Sequence, residues 1–221
     1  MAGAFEEQGI TPLVVIQPKT NRRYVTVGTG RLLHQNDLGS TQAQRYFAII
    51  DGTGVRFNKS ADLPSGISFP VTTSKLKQLT DLTQKIELDF ANEIGWYVDL
   101  GRLTGGSGWR VISDSTSFLG VVAFSAMAPV EGAACESSGV SRVYAIDLGT
   151  GASKLKNGNN VAAYLSPQET GIVTDLRFYS VEGKPRLLAG YDTGKTEPLP
   201  GEWTPGNTLR RLNWREVPLA D

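Results

Sequence analysis

Apolar and polar side chains alternate along most of this chain with a period of two. Short runs rich in Val, Ile, Phe and Tyr occur at 23–28 (RYVTVG), 45–50, 109–112, 121–124, 142–146, 172–181 and 186–190, each bounded by Gly, Asn, Asp, Ser or Pro. Side chains that alternate across a pleated surface and stop at turn residues read as half-buried strands, so the pattern predicts a mostly β protein. One segment breaks the rhythm. Leu76, Leu79, Leu82 and Ile86 recur at three- and four-residue spacing behind Thr73 and Ser74, which predicts a short helix over 74–84. Segments 36–42, 130–139 and 196–207 fit no strand and read as loops. The last holds Pro198, Pro200 and Pro205, which a helix interior or a central strand does not accept.

The same pattern repeats. A strand running into Gly-Thr-Gly occurs at 46–54 (YFAIIDGTG) and again at 143–151 (VYAIDLGTG), with the two turns 97 residues apart. A weaker copy at 186–194 (RLLAGYDTG) follows about 43 residues later. These intervals match two units and one unit of a four-stranded propeller blade. Each copy sets an apolar strand before a turn whose glycines accept positive φ, as a reversal between blade strands requires. The expectation is a single all-β, β-propeller-like domain over 1–221, an open arc of four to five blades with one short helix.

Composition narrows the function more than the fold. The 22 basic and 22 acidic side chains cancel, which argues against a surface built to neutralise phosphates or to lie on anionic lipid. No run reaches the length of a membrane-spanning helix; the most apolar stretch, 118–129, is broken by Gly120 and Ser125 and fits a strand pair. The segment 1–9 carries Glu6 and Glu7 where an export signal needs basic residues and an apolar run, so the chain reads as unexported or as a piece of something longer. A single cysteine, Cys135, cannot form an internal bridge and lacks a neighbouring histidine to activate it.

The candidate chemistry is thin. Residues 189–196 (AGYDTGKT) satisfy a loose phosphate-loop pattern, but Glu-Pro-Leu-Pro-Gly follows, so the helix that such a loop feeds cannot start. His34 is the one histidine, which leaves no multi-histidine metal site and no Ser-His-Asp set. For calcium the nearest approximations, 113–117 (SDSTS) and 156–160 (KNGNN), offer at most one carboxylate each. Trp96, Trp109, Trp203 and Trp214 read as core wedges, and Arg22-Arg23 and Arg210-Arg211 as solvated strand edges. No catalytic, cofactor or metal residue is assigned.

Seven pieces occur in a telling order: 27–33 (VGTGRLL), 41–51 (TQAQRYFAIID), 95–100 (GWYVDL), 108–129 (GWRVISDSTSFLGVVAFSAMAP), Cys135, 143–151 (VYAIDLGTG) and 210–217 (RRLNWREV). Together they resemble the C-terminal β-propeller region of PilY-type type IV pilus biogenesis proteins, which are tip-associated assembly factors and adhesins. The resemblance implies quinoprotein-type blades, export to the cell surface, pilus tip, outer membrane or periplasm, and binding without turnover. It also implies a place as the C-terminal part of a longer protein. Its partners would be pilus components such as minor pilins, together with surface or host receptors, in support of pilus assembly, twitching motility and adhesion. The chain departs from the family at Asn213, where Ser is usual, and at Phe124-Ser125-Ala126. The family's Asp-rich calcium loop has no counterpart here, so calcium control is not carried over. Two other readings stand beside this one: a secreted carbohydrate- or protein-binding propeller, and a fragment of a pyrroloquinoline-quinone dehydrogenase, which would need calcium ligands and a base that the chain does not offer. An open arc would also expose a sheet face and favour self-association.

Overall fold

The structure is a computed structural model and describes residues 11–32, 35–52, 57, 62–104, 108–130, 139–167 and 171–203. Alternation becomes sheet. β1 (Leu13–Gln17), β2 (Arg22–Gly28), β3 (Arg45–Gly52), β4 (Lys77–Leu79) and β5 (Gly95–Asp99) form sheet 1 in the order β1-β2-β3-β5-β4. All its pairings are antiparallel except β4 with β5. Sheet 2 is β6 (Thr116–Phe118), β7 (Val121–Pro129) and β8 (Gly139–Asp147). A two-stranded hairpin, β9 (Lys156–Asn157) and β10 (Asn160–Val161), leads to sheet 3, made of β11 (Val173–Val181), β12 (Lys184–Tyr191) and β13 (Thr196–Leu199). Two short helices lie in connections: α1 (Gln35–Leu38) between β2 and β3, and α2 (Leu100–Thr104) between β5 and sheet 2.

Sheet 2 is the middle layer, and its period of two shows how. Val122, Phe124 and Ala126 of β7, with Tyr144 and Ile146 of β8, join a core with Tyr24, Tyr46, Ala48, Trp96 and Val98 of sheet 1. The intervening Val121, Ala123, Val143 and Ala145 join a second core with Leu176, Leu187, Ala189, Leu199 and Trp203. A sheet covered on both faces carries apolar side chains at every position, which is why 121–127 reads as one continuous apolar run. Rings mark the first junction: Tyr46 stacks on Phe124 at 3.7 Å with planes 2° apart, and Phe124 on Tyr144 at 4.9 Å and 9°. Hydroxyls mark the second, where Ser113 and Ser125 share a 2.6 Å bond and Ser141 accepts from the Val173 amide. Face-to-face stacking of small antiparallel sheets is propeller-like.

The three copies of the repeat fall one to a sheet, as β3, β8 and β12. The 97-residue interval, however, is a single step between adjacent sheets, because the chain returns to sheet 1 through β4 and β5 before sheet 2 begins.

The helix expected over 74–84 does not form. A 3₁₀ turn, Thr73–Lys75, passes directly into β4. The backbone groups that a helix would use are taken elsewhere: Lys75 O accepts from Ile94 N, Leu82 O from Ser153 N, and Ile86 N donates to Thr150 O. Leu76, Leu79 and Leu82 are nonetheless buried, so the apolar spacing reported burial correctly and conformation wrongly. Residues 196–199, expected as loop, form the edge strand β13, where Pro198 opposite Leu188 needs no outward donor. Segment 36–42, expected as loop, overlaps the last three residues of α1. Most of 130–139 lies outside the described residues, and 109–112 reduces to one bridge between Arg110 and Met127.

Candidate functional site

Two features of the structure stand out. The first is the joint between sheets 1 and 2. Gly28 and Gly30 leave no room for a side chain: a Cβ on Gly28 would meet the Val111 side chain at 2.5 Å, and one on Gly30 would meet Val111 O at 2.5 Å. The Val111 amide donates to Thr29 O at 3.0 Å, so the Gly-Thr-Gly backbone lies directly on that of 110–111. Arg110, 3% exposed, then closes the joint. Its Nε donates to Gly108 O at 3.0 Å, one Nη to Arg31 O at 2.9 Å and Asp37 O at 2.5 Å, and the other to Ser40 O at 3.1 Å. Burial pulls the Arg110 pKa down and the nearby Asp37 carboxylate opposes that shift. Asp37 is itself buried and accepts from Arg31 Nε at 3.0 Å. The planar fork of donors can satisfy several carbonyls at once, which an ammonium cannot.

Thus two of the quoted motifs, 27–33 and 108–129, are the halves of one contact, although Leu33 falls outside the described residues. Their spacing in sequence gives no sign of it. Only Gly-x-Gly beside a strand hints at a close backbone approach.

The second feature is the outer face of sheet 1. Register places Val14 beside Val25 and Val25 beside Ile49, a row of apolar side chains turned away from sheet 2. It runs into a cavity of about 490 Å³ lined mainly by Val25, Ile49, Phe57, Leu63, Phe69 and Val71. Asp51 is the one ionisable group among the described lining residues, and Arg23 holds it at 3.1 Å. Carbon walls with a neutralised rim suit an apolar side chain or a small apolar molecule. Nothing in the sequence pattern picks out the segment that roofs this space.

The other candidates take structural places. Trp96 is fully buried and its indole N–H donates to Leu148 O at 3.0 Å, tying β5 to the turn after β8. The Arg142 guanidinium lies between Trp109 at 4.1 Å and Tyr164 at 4.3 Å, and Trp203 packs edge-on against Phe178. Arg22 and Arg23, read as solvated edge charges, are both engaged: Arg22 covers the Phe90 ring at 3.3 Å while Arg23 holds Asp51. Residues 189–196 form the turn from β12 to β13, strand to strand, with Gly194 at positive φ. Asp114 of 113–117 accepts from the Thr11 amide, and 156–160 makes the β9–β10 hairpin. Among the described residues no three His, Cys, Asp or Glu side chains gather as a metal site would need, and no helix is long and apolar enough to cross a membrane. His34, Cys135, Arg210-Arg211, Trp214 and the 210–217 motif lie outside the described residues.

Stacked antiparallel sheets with a backbone-tight joint and an apolar outer face define a propeller-like β-sheet protein. Within that class the chain resembles the C-terminal region of PilY-type proteins. It is 27% identical, over 97% of its own length, to the type IV pilus biogenesis factor PilY1 homolog of Xylella fastidiosa, of which it spans 18%. In fold it is similar to the crystal structure of the Pseudomonas aeruginosa PilY1 C-terminal domain, with a TM-score of 0.59, 19% identity, and coverage of 88% of this chain and 44% of that one. No family model matches the chain.

Proposed function

We propose that this chain is a non-catalytic contact module of a type IV pilus system, acting at the cell surface or pilus tip in assembly, twitching motility and adhesion. The observation that carries the reading is the match over 97% of the chain to a pilus biogenesis factor, with the stacked-sheet fold beside it. The use of side chains supports it too. Arg110 is spent on carbonyls, and Asp51 and Asp37 each hold an arginine, so the polar groups at the joint and rim serve cohesion. The module acts as one domain over 1–221, within a longer exported protein, and meets pilus subunits and surface receptors through its faces and loops.

The test is to delete the coding region for this chain from the chromosomal gene, confirm by blot that the shortened protein is still made, and score surface pili and twitching. Loss of both is the expected result. Normal pili and normal motility would sink the assembly role and favour the reading of a secreted binding propeller.

A further inference from the structure

The strands that end the sheets are protected unequally. β4 is three residues long and carries Lys77. β13 carries Pro198, and β11 has a register shift between Val173 and Asp175 with the exposed pair Asp175 and Arg177 beyond it. Short length, proline, irregular register and charge are the ordinary ways in which an edge strand is kept from pairing. β1 has none of them. Its five residues, LVVIQ, hold no charge and no proline, its register with β2 is unbroken, and among the described strands nothing pairs with its outer edge.

Its side chains match that openness. Val14 and Ile16 are 59% and 56% exposed, on the face that continues through Val25 and Ile49 into the apolar cavity. At the far end of the stack, sheet 3 turns Asp175, Arg177 and Arg186 outward. A head-to-tail array of copies would set the carbon face of sheet 1 against a face that mixes these charges with Tyr179 and Val181, whereas the edge of β1 meets its own match in a second copy.

The geometry points to β1 as an isologous interface: two copies of this chain join edge to edge through β1, antiparallel about Val15, into one continuous sheet. The strand is its own complement. With Val15 opposite itself, Val14 lies opposite the partner copy's Ile16 on the shared outer face, and Leu13 lies opposite Gln17. The flanking prolines select this register. Pro12 and Pro18 then face each other just beyond the ladder, whereas a shift by one residue pair in either direction brings one of them inside, where it removes a donor. The neutral strand brings no like charges together across the two-fold axis.

The experiment is sedimentation of the full chain through the micromolar range, with its far-ultraviolet spectrum and melting temperature recorded alongside. Wild type is expected to sediment as a concentration-dependent dimer. V14K/I16K, at exposed positions, is expected to be a folded monomer, because each Lys meets a Lys of the partner copy. V14K/I16E restores opposite charges across the axis and is expected to dimerise again. If the charged pairs perturb folding, V14T/I16T keeps strand propensity and should weaken association at least tenfold. A wild-type monomer throughout the range, an undiminished V14K/I16K dimer, or a V14K/I16E protein no better associated than V14K/I16K would each overturn the proposal.

Discussion

Arg110 shows how much one side chain can hold in a loop-rich protein. The 28–40 segment offers carbonyls that neither strand nor helix satisfies, and the guanidinium collects those of Arg31, Asp37 and Ser40 together with its neighbour Gly108. Replacement by Lys keeps the charge beside Asp37 but cannot span the four half-buried and buried acceptors at once, and the bonds it gives up are charge-assisted ones. Arg110→Lys should therefore cost about 2 to 4 kcal/mol in denaturant-induced unfolding. A change within about 0.5 kcal/mol, the range of ordinary surface substitutions, would show that the fork is not what holds the joint. None of this could be read from residue type. An arginine between Trp109 and Val111 looks like an edge charge until the distant 31–40 segment is folded over it.

At the scale of elements, strands read well where one face is dry and the other wetter, as in β12, or where both are dry, as in β7. β1 went unmarked because its alternation is apolar on both faces and it is short. The 74–84 segment misled because a three- and four-residue spacing also arises when a winding chain dips repeatedly into one core. The tyrosines packed between sheets 1 and 2 illustrate what element contacts add. Burial raises the pKa of Tyr24 and of Tyr46 to about 12 from an ordinary 10.0, and raises that of Tyr144 as well. The folded state then holds its phenolic protons more tightly than the unfolded chain does. Stability is unaffected by these groups below pH 10 and falls as pH rises through the window from 10 to about 12, by about 2 to 3 kcal/mol for each of Tyr24 and Tyr46. Melting temperatures measured over that range should drop together with the appearance of phenolate absorbance. Completion of the tyrosine titration with the fold intact would contradict the burial argument.

At the scale of the molecule, the position of sheet 2 decides the rest. Neither core can open without uncovering one of its faces, so its amides are released only by global unfolding. In native-state hydrogen exchange the slowest amides should lie within 122–127 and 143–146, and β1 and β11 should exchange faster. Slowest exchange in sheet 1 or sheet 3 would mean that the middle layer is not the stable one. The connection of β7 to β8 also has a mechanical side. Val121 pairs with Asp147, so the chain enters and leaves this nine-pair ladder at the same end, and tension along the backbone would act to unzip it rung by rung. That mouth is stapled: Leu148 N bonds Gly120 O, and the Trp96 indole, reaching across from sheet 1, bonds Leu148 O. A pull on the chain is thus met first by a neighbouring layer rather than by the hairpin itself, and the zipper starts to run only after sheets 1 and 2 have parted.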